Sequence, residues 1–213
     1  MTRVVCYDIQ QKSYFVELLT IPHMHRPKTE TIKFLTQDET ARLFSVIKDK
    51  RDRALFLIAY RHGLRASEVG RLAVSDIDFK KLRIMLHRLK GSHSGEHPLQ
   101  TDEAKTLKTH LRSRKAETPV LFTSNRNDPI SRSMLHRLMR SYSERAGLPD
   151  EKQHFHVLKH SIATHLLDAG ADVRFVQDWL GHANIQNTVI YTYLTSISRE
   201  EKARKLFMKL PRY

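Results

Sequence analysis

"HFHVLKHSIATHLL", residues 154–167, sets four histidines and a lysine into a stretch that otherwise reads as a buried helix. His154, His156, His160 and His165 can be metal ligands, core residues or donors aimed at an anion, and Lys159 sits directly before His160. His156 and His160 are four residues apart and share one helix face, a feasible spacing for two metal ligands. No glutamate stands between them as in HExxH, and the single cysteine, Cys6, excludes a cysteine-rich zinc site, so no metal is expected. P-loop, GxGxxG and GxSxG motifs are also missing, which argues against nucleotide hydrolysis, dinucleotide redox chemistry and a serine-hydrolase elbow. No cofactor is expected.

Working outward, the charge balance favours the anion reading. The 213 residues carry 37 Lys and Arg against 23 Asp and Glu, a formal net charge of +14. Such an excess is the electrostatic footprint of a polyanion binder. The basic residues are spread along the whole chain rather than gathered on one amphipathic segment, which favours nucleic acid over a membrane surface. No run of about 18 apolar residues exists to span a bilayer. The first residues lack the order of a secretory signal, and one cysteine permits no internal disulfide, so a cytoplasmic protein is expected.

Local signals predict a mainly helical α+β domain with a small antiparallel sheet. Residues 1–33 read as an arm whose "IPHMHRPKTE" disfavours helix. "TQDE", 36–39, is a capping box, and Leu43, Phe44 and Ile47 then give an apolar helical face. "RDRALFLIAYRHG" is a buried helix stopped at Gly63, and "ASEVGRL" a short one. A strand through Leu82, Ile84 and Leu86 pairs with "HPLQ" across the flexible turn "KGSHSGE". Thr101 and Ser131 are expected to cap two further helices, with the extended "PVLF" between them. Three more helices are predicted at 156–169, 172–180 and 184–193, and "SREEKARKLFMKL" reads as a final amphipathic helix.

Four stretches then stand out by their order: "GLRASEV", "LKGSHSGEHPL", "HVLKHSIAT" and "LGHANIQNTVIY". Singly each is weak, since an Arg65–Glu68 pair is usually structural and Lys90 at a hairpin mouth usually just solvated. Together they resemble the catalytic domain of tyrosine recombinases, the phage-integrase family. The first matches that family's G-L-R-x-x-E-L box with Arg65 and Glu68. The second matches its hairpin lysine with Lys90, and the third its H-x-L-R-H-[ST]-x-A-T box with His156 and His160. The fourth matches its L-G-H followed nine residues later by a tyrosine, His182 and Tyr191. The likeness runs from about 34 to 200, which implies an arm at 1–33, a catalytic domain at 34–200 and a C-terminal helix at 201–213 able to dock in trans. The "RASE…SDID" and "HRLK…HPL" stretches are most similar to the short fimbrial phase-variation recombinases. Longer integrases carry a separate core-binding domain for which residues 1–33 are too few, so the chain is expected to be naturally short or a fragment.

The resemblance implies site-specific cleavage and rejoining of double-stranded DNA through a 3′-phosphotyrosyl intermediate at Tyr191. Such chemistry needs donors fixed where the phosphate gains charge. Arg65 can offer a planar fork, and His156 and His182 single hydrogen bonds. Lys90 suits protonation of the 5′-oxygen, Glu68 would hold Arg65 or the neighbouring histidine in place, and His160 would carry a proton or support the box. The covalent link conserves bond energy, so neither metal nor triphosphate is needed. Tyr193 competes as nucleophile, but residues two apart on a helix point about 200° away from each other, and spacing favours Tyr191. A homo-tetramer on paired sites is implied in a bacterial, phage or archaeal host, at the nucleoid or on a mobile element, with accessory DNA-bending proteins as further partners. Lys159 departs from the pattern, standing where the family has its second arginine, so a bidentate contact becomes a single-point one. An active lysine clamp, a slow enzyme reliant on a partner, and a non-catalytic DNA-binding relative that occupies recombination sites are the three readings this leaves.

Overall fold

The computed structural model describes residues 32–89, 91–114 and 118–194, together with Ala203, Arg204, Phe207 and Met208. The arm expected at 1–33 lies almost wholly outside them. So does Lys90, and so does most of the predicted C-terminal helix. Of that helix, Ala203, Arg204 and Phe207 are helical, and Phe207 and Met208 are exposed.

Eight α-helices and a three-stranded sheet make up the described architecture. The helices are α1 (Gln37–Val46), α2 (Lys50–Arg61), α3 (Ala66–Val69), α4 (Thr101–Ser113), α5 (Arg132–Arg145), α6 (Val157–Asp168), α7 (Val173–Leu180) and α8 (Gln186–Thr192). The strands β1 (Ile77–Asp78), β2 (Arg83–Leu86) and β3 (Gly95–Pro98) run antiparallel in that order. The predicted hairpin is β2–β3, with Ile84 opposite His97 and Leu86 opposite Gly95. Alternation buries Ile84 and Leu86 and exposes Arg83 and Met85. Leu82 is not in the strand, because at φ 52° it belongs to the turn before it. The two-residue β1 escaped prediction, being too short to show a period.

Caps fall largely where the sequence puts them. The Thr36 side chain accepts from Glu39 N at 3.2 Å while the Glu39 carboxylate accepts from Thr36 N at 2.7 Å, the reciprocal box. Ser131 caps α5, and Asp172 caps α7 through Arg174 N and Phe175 N. Thr101 is a correction. It is the first residue inside α4, and Gln100 is the cap, its N–H donating to Glu103 at 2.7 Å. A glutamate at the third helical position reaches back to the cap's own backbone, so the box stands without a hydroxyl residue at its head.

α6 is the axle of the domain. It is buried on nearly every side and packs against α2, α7 and α8, as a helix apolar all round must. Its polar residues are satisfied internally: Ser161 donates to Val157 O and accepts from Leu35 N, and Thr164 donates to His160 O. His165, given no role in the sequence, is held by Tyr60 Oη at 2.7 Å and Leu35 O at 2.8 Å. Around α2 the aromatic core closes with Phe56 edge-on to both Tyr142 and Phe155. Among the described residues no helix is long and apolar enough to cross a membrane.

Candidate active site

Lys90 apart, the residues singled out from the four boxes converge where α2 ends, α3 begins and α6, α7 and α8 meet. Gly63 makes the first turn possible. It adopts φ +58°, and a Cβ there would lie 2.4 Å from Leu180 Cδ2. The chain then enters α3 with Arg65 at its N-cap. Glu68, buried, accepts from Arg65 N at 2.8 Å and from its Nη1 at 2.9 Å. The same Nη1 donates to Ser92 Oγ at 3.0 Å, which ties the box to the hairpin turn. Arg65 keeps a third of its side chain exposed.

The turn after β2 is less free than its composition suggests. His93 N donates to Gly181 O at 2.9 Å, and Ser92 bridges to His182. Gly181, left-handed at φ +66°, ends α7, and a Cβ on it would sit 2.6 Å from His93 O. No other residue lets the hairpin come this close. Lys90 lies outside the described residues, between Leu89 and Ser92.

Tyr191 and Tyr193 separate cleanly. Tyr191 is 2 % exposed and its hydroxyl lies 2.8 Å from His160 Nδ1, whereas Tyr193 is 63 % exposed. Burial pushes the Tyr191 hydroxyl well above its ordinary value, partly offset by Arg65. His160 is driven down to about 3 by burial and then by His156, His154, Lys159 and His182. Both partners are therefore neutral at pH 7. His182 is buried with Nδ1 2.9 Å from Thr188 Oγ1, and Thr188 lies one turn before Tyr191 on α8. The nine-residue interval from His182 to Tyr191 thus contains its own brace.

His156 caps α6 at the exposed rim, its ring edge-on to His160 at 4.4 Å. Although exposed, it is enclosed by enough protein, with Lys159 and Arg65 nearby, to fall to about 4. His182 also falls to about 4, through burial and the same two cations first. Lys159 departs from expectation. It does not share an open face with His156 but is 1 % exposed, its Nζ donating to Leu180 O at 2.9 Å. One turn along α6 from His156, its position faces the last turn of α7. Burial, Arg88 and Arg65 lower it to about 7, opposed by Glu68.

Arg88 was missed in the sequence. Its side chain is 1 % exposed and donates to His62 O, Gly63 O, Glu68 and Trp179 O. The only signal was an arginine two residues before the hairpin lysine. Among the described residues, no group of three or more His, Cys, Asp or Glu side chains is placed to hold a metal ion.

The model of the phage integrase family matches residues 33–196, more than three quarters of the chain. This protein belongs to the phage integrase family. It is 35 % identical over 176 residues to the tyrosine recombinase XerA of Pyrococcus horikoshii, covering 81 % of this chain and 61 % of that one. It is 40 % identical over 167 residues to the type 1 fimbriae regulatory protein FimB of Escherichia coli K12, covering 75 % and 83 %. The crystal structure of a XerA recombinase superposes with a TM-score of 0.68 at 30 % identity, over 85 % of this chain and 64 % of that one. The integrase fold expected from the four boxes is therefore the fold observed. The chain spans about three fifths of the length of the archaeal recombinase.

Proposed function

We propose that this integrase is a site-specific recombinase that cuts and rejoins double-stranded DNA through a 3′-phosphotyrosyl bond at Tyr191. The observation that carries this is the 2.8 Å contact between the buried Tyr191 hydroxyl and the neutral His160 imidazole. A neutral Nδ1 accepts the phenolic proton as Tyr191 Oη attacks phosphorus. The bond between phosphorus and the 5′-oxygen breaks, and Lys90 gives the departing oxygen its proton. Reversal by a 5′-hydroxyl from the partner strand regenerates Tyr191 and seals the exchanged strands.

Arg65 grips two phosphate oxygens with the guanidinium edge that Glu68 steadies. His182, with Nδ1 engaged by Thr188, offers Nε2 to a further oxygen, and His156 donates from the rim. Lys159 acts from beneath. Its hydrogen bond fixes the turn that leads into His182, and in its protonated form it adds charge beside Arg65. The working form is a homo-tetramer on paired DNA sites, with the C-terminal helix of each subunit docked on its neighbour.

The test is a nicked suicide duplex carrying the target site. Wild-type protein is expected to form a covalent protein–DNA band resistant to denaturant, and Tyr191→Phe to form none. Binding that is salt-sensitive but leaves no covalent product would instead identify a non-catalytic occupant of recombination sites.

A further inference from the structure

We propose that the cleft between the start of α2, the end of α4 and the turn at 123–129 is a binding site for a free nucleotide. α2 and α4 lie antiparallel, with Arg61 and Asp102 paired at 2.6 Å at the end nearest Arg65. Lys50 and Ser113, at the other end of the pair, both line the cleft. Twelve residues of helix separate the two places, about 18 Å. The cleft holds about 550 Å³, a volume suited to a small organic ligand rather than a lone phosphate. Lys48, Lys50, Arg51 and Arg114 line it against the single carboxylate of Asp49. That carboxylate is already engaged as the cap of α2, accepting from Asp52 N at 2.9 Å. Among the described residues no carboxylate lies within ion-pair distance of Lys48, Lys50 or Arg114. Like charges gathered without a counter-ion repel one another, and a phosphate brought among them relieves that repulsion.

Two of the four cations are held in place before any ligand arrives. Arg114 donates to Val120 O at 2.7 Å and to Thr118 O at 2.9 Å, and carbonyls fix a guanidinium without cancelling its charge. Arg51 pairs with Asp52 at 2.8 Å and donates to Thr123 O at 3.0 Å. The second bond anchors the opposite wall, a turn closed by Ser124 N donating to Asp128 O at 2.7 Å. Donors fixed in this way lose little freedom on binding. The buried floor favours a nucleoside over bare phosphate. His110 lines the cleft at 2 % exposed, and its Nε2 donates to Leu121 O at 2.9 Å. Its Nδ1 is then an acceptor with no partner among the described residues. Burial lowers the basicity of this ring, the bond to Leu121 opposes, and Arg114 and Arg51 lower it further, so it stays neutral at pH 7. A phosphate oxygen meets that lone pair unfavourably, whereas the amino group of a base or a sugar hydroxyl donates to it. The amides of Asn125 and Asn127, each both donor and acceptor, line the same cleft and suit the edge of a base. Among the described residues no hydrocarbon side chain lines it, so an apolar ligand has nothing to bury against.

The experiment is calorimetric titration of the full chain with ADP, pyrophosphate and a short thymidine strand, at physiological salt where long-range attraction is screened. ADP is expected to bind saturably and more tightly than pyrophosphate. Lys48→Glu/Lys50→Glu should weaken ADP by at least about tenfold, the scale of lost charge-assisted hydrogen bonds. Both lysines are exposed, and glutamate suits the first turn of α2, so the fold is expected to stand. Arg65→Gln, which alters the other place for a phosphate, should leave ADP affinity within about twofold, because the cleft lies beyond a Debye length of about 8 Å. If the charge-reversed protein does not melt cooperatively, Asn125→Ala is read instead, with ADP weakened by about threefold or more and pyrophosphate unchanged. A wild-type chain that ignores ADP overturns the site, as does ADP affinity that survives charge reversal or vanishes with Arg65→Gln. Pyrophosphate binding as tightly as ADP overturns the nucleoside half of the assignment. A thymidine strand that displaces ADP at lower concentration than ADP itself requires makes DNA the occupant and overturns the free nucleotide.

Discussion

Two groups of histidines lie on either side of the α2–α3 turn, and their partners distinguish them. Behind the turn, His62 and His97 meet through their Nδ1 atoms at 3.2 Å, and both lie against the Trp179 ring. His62 Nε2 sits 3.1 Å from Glu103 Oε1, near enough for an ion pair but off the hydrogen-bonding axis. In front, His160 touches the Tyr191 hydroxyl and His182 touches Thr188. Burial is the leading cause of low basicity at His97 and at His160 alike, taking each to about 3. A depressed imidazole therefore does not mark an active site by itself. The rear pair meets only neighbouring protein, whereas the front group contacts the tyrosine proposed as nucleophile.

The most severe way to probe that contrast is Tyr191→Phe. It should abolish covalent capture of DNA, while Tyr193→Phe stays within about twofold, since Tyr193 makes no comparable buried contact. A smaller effect is expected from His160→Asn: a fall of about 10²-fold in single-turnover cleavage with DNA affinity unchanged. The rear pair should respond in the opposite currency. His62→Leu, which removes one partner of the Glu103 contact, should cost about 1–3 kcal/mol in urea unfolding, while cleavage per folded molecule stays within about threefold. If His62→Leu silences cleavage in a fully folded protein, the division between the two groups fails.

Subtler effects follow pH. The imidazoles of His97, His156, His160 and His182 all titrate below their ordinary 6.5 when folded. Below pH 6.5 the unfolded chain binds protons that the folded one refuses, so stability is expected to fall as pH drops from 6.5 towards 4. Lys159, near 7 when folded and 10.5 ordinarily, adds a second window. Between those values the unfolded chain holds a proton that the folded chain has released, so stability should rise with pH. From pH 7.5 to 9.5 that rise should reach at least about 1 kcal/mol in urea titrations, and Lys159→Met should flatten it.

The sequence disclosed whatever is carried by neighbours along the chain. The capping box at Thr36, the β2–β3 hairpin and the Arg65–Glu68 pair all depend on residues within a few positions, and each stands as expected. The interval from His182 to Tyr191 is of the same kind, because Thr188 braces it from within. What stayed hidden depends on distant partners. Lys159 looked like a phosphate contact because a helix face shows which residues align, not what covers them. Its carbonyl partner, Leu180, is 21 residues away. Arg88 reads as an ordinary surface arginine until α2 and α7 close over it. Gln100 displaced Thr101 as a cap because Glu103 reached its backbone first.

The shortness of α8 has a consequence for control. Thr188 and Tyr191 stand one turn apart on a helix of seven residues, so the brace for His182 and the proposed nucleophile are carried on a single rigid lever. Under the proposed chemistry, any force that draws this lever outward would take the tyrosine and the His182 brace out of place in one stroke, and returning it would restore both. In the proposed tetramer, each subunit would then be armed or safe as a unit.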